Sequence, residues 1–233
     1  MNVRFVIPAA RGLLFFGCAI LLIPSEAAAQ LRHPVTGRVI APVMGVGGAS
    51  WLVRPEREAE ENPSKAVNLL GLQPGQTVAD IGAGVGYWSF LLASQVGRQG
   101  KVFATDIQPE MLRLLRKRIE KAGVTNIETV LGSETGTGLP DGSADMVLLV
   151  DVYHEFSQPQ QMLRSIRRTL KADGRLVLLE FRKEDPNVPI REEHKMSVEM
   201  VKSELEPEGF KLGKVLPDLP WQHIFFFTKE GAN

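Results

Sequence analysis

The sequence predicts an α/β fold: a mostly parallel sheet covered by helices on both faces and closed by an antiparallel hairpin. Three observations carry this. Thr77-Val78-Ala79-Asp80-Ile81-Gly82-Ala83-Gly84-Val85-Gly86-Tyr87-Trp88 reads as a buried strand, a tight turn and a helix start. Strand-like and helix-like stretches then alternate as far as Phe181, which forces a parallel sheet with right-handed crossovers. Finally, Gly209 to Val215 and His223 to Thr228 are separated only by a turn at Pro217-Asp218-Leu219-Pro220, so they pair antiparallel.

The elements follow in order. Leu31 to Ser50 is rich in glycine, proline and small residues without a sustained period, and reads as a flap or a plain linker. A short charged helical start follows Trp51. Asn62 caps the next helix, with Pro63 at its first position, Ala66, Leu69 and Leu70 apolar, and Gly71 at its end. Past the glycine loop come a helix to about Val96, a second strand from Lys101 to Asp106, and a helix opened by Pro109. Leu112, Leu115 and Ile119 share one face of that helix, and Arg113, Arg116 and Lys117 form a solvated face. Ile127 to Leu131 is the third strand and Asp145 to Asp151 the fourth. Pro159 to Leu170 is a helix with Met162, Leu163, Ile166 and Leu170 inward, and Arg175 to Phe181 is the fifth strand.

The chain has 233 residues, 27 basic and 27 acidic side chains, and 44% hydrophobic residues, which suits one globular domain with a substantial core. The balanced charge gives no argument for a nucleic-acid partner. Residues 1–29 read as a secretory signal peptide: Arg4 and Arg11, an apolar run from Gly12 to Ile23, and a small-residue cleavage site at Ala27-Ala28-Ala29. The run is short for a membrane span, so the expectation is an exported protein, periplasmic or secreted, without stable membrane insertion after cleavage. A retained anchor is the alternative. Cys18 is the only cysteine and lies inside the leader, so disulfides cannot support the mature fold. Residues 30–62 form an irregular and helical extension, and residues 63–233 the main domain.

The glycine loop is the most specific motif. A dinucleotide fingerprint places glycines at the first, third and sixth positions, but counting from Gly82 the sixth is Tyr87. The pattern here is Asp-x-Gly-x-Gly-x-Gly, Asp80 to Gly86. In this it resembles the first motif of the class I S-adenosylmethionine-dependent methyltransferases, and the terminal hairpin is similar to the last two strands of that fold. The resemblance covers about Ser64 to Lys229. It implies a Rossmann-like, seven-stranded mixed sheet in the order 3-2-1-4-5-7-6, with only the seventh strand antiparallel.

The resemblance also implies S-adenosylmethionine as cofactor. Ligands of open α/β sheets bind beyond the carboxyl ends of the strands. Asp80, Gly82, Gly84 and Gly86 would then approach the methionine part, with loop N–H groups facing outward as donors. Asp106 would accept hydrogen bonds from both ribose hydroxyls, and Ile107 would wall the adenine. At the third strand end, where relatives place an acid, Ser133 is the substitute. The fourth strand ends in the polar cluster Asp151-Val152-Tyr153-His154-Glu155. Asp151, Tyr153, His154 and Glu155 are therefore expected to line the pocket of a small-molecule or protein acceptor. His154 would be base or positioner and Glu155 would orient it; the alternative is a histidine that caps a helix or bonds a loop.

No metal is expected, because His33, His154, His194 and His223 show no ligand spacing; Glu192-Glu193-His194 reads as solvent-facing, with contact to a substrate as the alternative. Two other function classes compete. A nicotinamide-dependent oxidoreductase conflicts with Tyr87 in the loop, with the hairpin, and with Ser157 standing where a lysine would follow Tyr153. A cofactor-binding protein without catalysis stays open, since export would separate the domain from cytoplasmic cofactor.

Overall fold

The computed structural model describes residues 30–231; the expected leader, Cys18 included, lies outside the described residues. After 3-10 turns at Val46–Gly48 and Trp51–Val53, the elements are α1 (Arg57–Glu60), α2 (Pro63–Leu70), β1 (Thr77–Ile81), α3 (Tyr87–Val96), β2 (Lys101–Asp106), α4 (Pro109–Ala122), β3 (Ile127–Leu131) and β4 (Ala144–Val150). They continue with α5 (Pro159–Thr169), β5 (Leu170–Arg182), β6 (Lys195–Met196), α6 (Val198–Leu205), β7 (Phe210–Leu216) and β8 (Gln222–Lys229).

The sheet order is β3-β2-β1-β4-β5-β8-β7, with β8 antiparallel to both of its neighbours. This is the expected topology plus one unexpected strand. The two-residue β6 pairs parallel with the end of β5, Phe181 against Lys195 and Arg182 against Met196. β5 also begins earlier than its apolar run suggests, because Leu170 already pairs with Ala144. Residues 171–174, between the expected helix and strand, become an irregularity inside the strand, with Lys171 Nζ 2.8 Å from Asp145 Oδ1.

Period-two alternation sends successive strand residues into two cores. On one face Val78, Val102, Met146, Leu148, Val177 and Leu179 pack under α2, α3 and α4. On the other, Ala79, Ile81, Val147, Leu149, Leu176 and Leu178 pack under α5 and α6. Helix ends are set locally. Asn62 takes a left-handed φ of 51° and its side chain accepts from Lys65 N–H at 3.1 Å, while Gly71 closes α2 at φ 62°.

Residues 31–50 are neither a free flap nor a linker. Arg32 and Val39 pair in a tight hairpin, and Glu204 of α6 accepts from Arg38 Nε at 2.9 Å and from the Thr36 hydroxyl. The strand of chain that follows is tied down by Ala41 N–H to the His154 carbonyl at 3.1 Å and by Gln108 Nε2 to the Met44 carbonyl at 3.0 Å. It forms a strap across the carboxyl ends of the strands.

Gly86 shows why α3 starts where it does. Its φ is 83°, and a Cβ there would overlap Leu115 Cδ1, a core atom of α4. Gly123 is also left-handed, at φ 64°, but has nothing within 4 Å of a built Cβ. Urea unfolding should therefore show Gly86→Ala losing about 1–3 kcal/mol more than Gly123→Ala, the overpacking cost beyond the shared backbone penalty. Equal losses would show that α4 does not press on this turn.

Candidate functional site

A cavity of about 890 Å³ opens between the strap and the carboxyl ends of β1, β2 and β4. Its walls include Asp80, Gly82, Gly84, Asp106, Ile107, Ser133, Asp151, His154 and Glu155. Most sequence-predicted residues thus meet in one place. Two do not: Gly86 stays in the packing turn described above, and Tyr153 lies off the cleft, its hydroxyl 3.4 Å from His33 Nε2 under the strap. Tyr153 therefore serves the core, where it stacks edge-on against Phe156 at 5.6 Å.

The glycine loop differs from expectation in its hydrogen bonding. Gly82 and Ala83 N–H both donate to the Thr105 carbonyl, at 2.8 and 2.9 Å, and Gly86 N–H donates to the Ala83 carbonyl at 2.8 Å. Gly84 N–H donates to Asp106 Oδ2 at 2.9 Å. These donors are consumed inside the protein, so the loop offers close backbone approach rather than a nest of free N–H groups. A Cβ on Gly82 would meet Val152 Cγ2 at 2.6 Å, and one on Gly84 would meet Leu52 Cδ1 at 2.8 Å.

Asp106 ends β2 with both oxygens engaged but not exhausted. Oδ2 accepts from Gly84 and Oδ1 from Gln108 N–H at 2.8 Å. A carboxylate has about four lone-pair sites, so Asp106 keeps capacity to accept a further donor from the cleft. Burial raises its pKa, and the backbone donors of Gln108, Gly84 and Ile107 oppose that. Next to it Ile107 is 39% exposed, an apolar surface facing the cavity. Ser133 lines the cavity one residue beyond Gly132, whose N–H donates to the Asp106 carbonyl at 3.0 Å, and its own N–H donates to the Gly136 carbonyl at 2.9 Å. Trp88 adds an unanticipated donor, a buried indole N–H at the cleft wall with no partner among the described residues.

Asp80 is held from beneath: Ser89 Oγ of α3 donates to its Oδ2 at 2.6 Å. Burial pushes its pKa up to about 6 despite that hydrogen bond. Asp151 takes a left-handed φ of 52°, which ends β4, and both its oxygens accept from Gln222 Nε2, at 2.9 and 2.7 Å. Its pKa is raised well above the usual carboxylate range by burial and by the nearby Glu61 and Glu180. The cation among these acids is Arg57, which the sequence reading left unassigned. It pairs with Glu61 at 2.5 Å, covers the Tyr87 ring at 4.5 Å and reaches the cavity wall.

The cluster after β4 is organised by a residue that sequence reasoning missed. Glu180 of β5, fully buried, accepts from Tyr153 N–H at 2.9 Å through Oε1 and lies 2.6 Å from His154 Nδ1 through Oε2. Glu180, not Glu155, orients the imidazole. A lone acid inside Leu176-Val177-Leu178-Leu179-Glu180-Phe181 was the available signal. The other ring nitrogen, Nε2, lies 3.1 Å from Nδ1 of His194, which is therefore not a solvent-facing loop residue. β6 is the reason: its pairing with β5 anchors the 3-10 turn Glu192–His194 beside Tyr153–Glu155. Burial first, with Glu180 adding, raises the Glu155 pKa to about 7, and His154 opposes the shift.

Comparison with known proteins agrees with this geometry. A family model described as a methyltransferase domain matches residues 72–219. The ubiquinone/menaquinone biosynthesis C-methyltransferase UbiE of Salmonella arizonae is 33% identical over 118 residues, half of this chain and 47% of that one. The chain thus spans about half the length of the curated relatives it matches. A SAM-dependent methyltransferase from Aquifex aeolicus superposes with a TM-score of 0.75 at 28% identity, covering 79% of this chain and 98% of its own. PH0226 from Pyrococcus horikoshii OT3 reaches 0.62 at 18% identity over 78% and 98%, a likeness of fold. Among the described residues no helix is long and apolar enough to cross a membrane.

The buried Asp80 makes stability depend on pH. Its folded pKa of about 6 exceeds the ordinary 3.8, so its contribution is fully present below the ordinary value and is lost as pH rises through the folded one. Asp80→Asn stays neutral and escapes that loss. Urea unfolding at pH 4 and pH 7 should show the variant gaining on the parent by roughly 2–3 kcal/mol between the two. A difference independent of pH would mean that Asp80 ionises without penalty.

Proposed function

This chain belongs to the methyltransferase-domain family, and on that premise we propose that it moves a methyl group from S-adenosylmethionine to a small acceptor with an apolar body. One observation carries the cofactor half of this reading: Asp106 at the end of β2, a cleft-lining carboxylate with acceptor capacity left over, beside the exposed Ile107. Two vicinal hydroxyls and a flat apolar ring match that pair of surfaces. Asp80 and Asp151, carboxyls at the ends of β1 and β4, suit the cationic end of such a cofactor, which would offset the desolvation that raises their pKa. When bound, S-adenosylmethionine supplies a methyl on a sulfonium, whose carbon–sulfur bond breaks as the acceptor's lone pair forms the new bond.

The chain's own residues do the rest by alignment. Gly82 and Gly84 leave room for close approach, and Met44 of the strap and Leu52 of the turn after it help to exclude water. The acceptor end is walled by Val43, Trp51, Phe156, Phe181 and Ile190, which favours a ligand with apolar surface. His154 acts there as a positioner rather than a base. Its Nδ1 is held by Glu180 and its Nε2 is directed at His194, so the ring is placed to position an acceptor rather than to take its proton.

Asp106→Ala should weaken S-adenosylmethionine binding by about 1.5–3 kcal/mol, the range for losing hydrogen bonds to a charged group. Lys101→Ala, at the opposite end of the same strand and paired on the surface with Glu128, should leave it nearly unchanged. Titration calorimetry on both variants reads this out, and equal effects would place the cofactor elsewhere.

A further inference from the structure

We propose that His154, His194 and Glu155 form a binding site for a divalent transition-metal ion of the Zn²⁺ or Co²⁺ kind at the acceptor end of the cleft. One ligand atom from each of the three lies within 4.8 Å of the others. Nothing in the sequence spacing announces them, since two belong to the turn after β4 and the third to the turn that β6 pins beside it.

The argument starts at Glu180. Its Oε2 lies 2.6 Å from His154 Nδ1, and a carboxylate can only accept there, so Nδ1 carries the hydrogen. Nε2 of His154 is then a lone pair, and it points at His194 Nδ1 across 3.1 Å. Two nitrogens each about 2.0–2.1 Å from one ion stand about 2.8–3.0 Å apart in octahedral and about 3.3–3.4 Å apart in tetrahedral arrangement. The observed 3.1 Å falls between the two, so an ion needs only a shift of a few tenths of an ångström in either direction. A carboxylate held on a ligand histidine's second nitrogen is the usual outer support of such sites, fixing tautomer and ring plane. Glu180 already occupies that position, fully buried, and its other oxygen is fixed by Tyr153 N–H.

Two imidazoles and one carboxylate select borderline transition ions over calcium or magnesium, and three protein ligands leave coordination positions open. Asp151 does not complete the set, because both of its oxygens are turned to Gln222. Glu155 and His194 are only partly buried and line the cavity, so an ion can enter and its open positions face the acceptor space. If the methyl-transfer reading holds, an acceptor hydroxyl bound there loses its proton to water more readily, and the electron pair left behind is the nucleophile. Metal binding itself does not depend on that reading.

The competing arrangement is a plain hydrogen bond from His194 Nδ1–H to His154 Nε2. Chelator-treated protein titrated with Co²⁺, followed by visible absorption and then by competition with Zn²⁺, separates the two. The expected result is one Co²⁺ per chain at micromolar or tighter affinity, displaced by Zn²⁺. His194→Ala and Glu155→Gln should each weaken it at least tenfold, with folding checked by circular dichroism. His223→Ala, whose imidazole pairs with Glu184 elsewhere, should leave it unchanged. Absence of Co²⁺ binding below millimolar, or equal binding by the His194 and His223 variants, overturns the site in favour of the hydrogen bond. S-adenosylmethionine titrated into the same samples keeps the proposals apart: stoichiometric Co²⁺ without cofactor binding sinks the methyltransferase reading and leaves the metal site standing.

Discussion

The cleft depends on how the loop after β1 is closed by the end of β2. The Thr105 carbonyl holds Gly82 and Ala83, and the Asp106 carboxylate holds Gly84. A parallel sheet gives strand ends no hairpin to tie them together, so unpaired backbone groups at this rim need partners from the neighbouring strand or from water. Here the neighbour supplies them. The same contacts fix the loop's position relative to Asp106, so the loop surface and the carboxylate beside it are built as one unit.

A second constraint governs the acceptor end. Glu180 is buried in the middle of the sheet, a costly place for a carboxylate unless it is fully hydrogen-bonded. Tyr153 N–H and His154 Nδ1 meet that need, and in doing so they lock the turn after β4 and aim the remaining ring nitrogen at His194. The strap adds to this from outside. Arg38 donates to the His154 carbonyl at 3.0 Å and to Glu204, so the N-terminal hairpin, α6 and the turn after β4 share one network. Order at the cleft is thus supplied by chain segments far apart in sequence.

That separation explains what could be read in advance. The strands, their order and Asp106 with Ile107 were legible because each rests on local pattern: apolar runs, glycines at turns, and a strand's last residue. The inward faces of α4 and α5 followed from helical period, and Leu112, Leu115, Met162 and Ile166 are buried as expected. Glu180, His194 and Arg57 were not found, because their roles come from pairings across 26 to 40 residues in the first two cases and from a short helix over Tyr87 in the third. β6 has two residues, too few for any alternation to register. Tyr153 misled for the opposite reason. It stands beside residues that do face the cleft, but the 3-10 turn rotates it into the core.

The central claim is that a loop whose Gly82, Ala83, Gly84 and Gly86 N–H groups are taken by the protein, an acid at the end of β2 with acceptor capacity left over, and an apolar wall make a nucleoside-sulfonium site rather than a dinucleotide site. Isothermal titration of the protein spanning residues 30–233 with S-adenosylmethionine, its demethylated product and NADH tests this most directly. The account predicts saturable one-to-one binding of the first two and none of NADH, since the N–H groups of Gly82, Ala83, Gly84 and Gly86 are taken inside the protein and withheld from a pyrophosphate. Binding of NADH with no response to S-adenosylmethionine would contradict it.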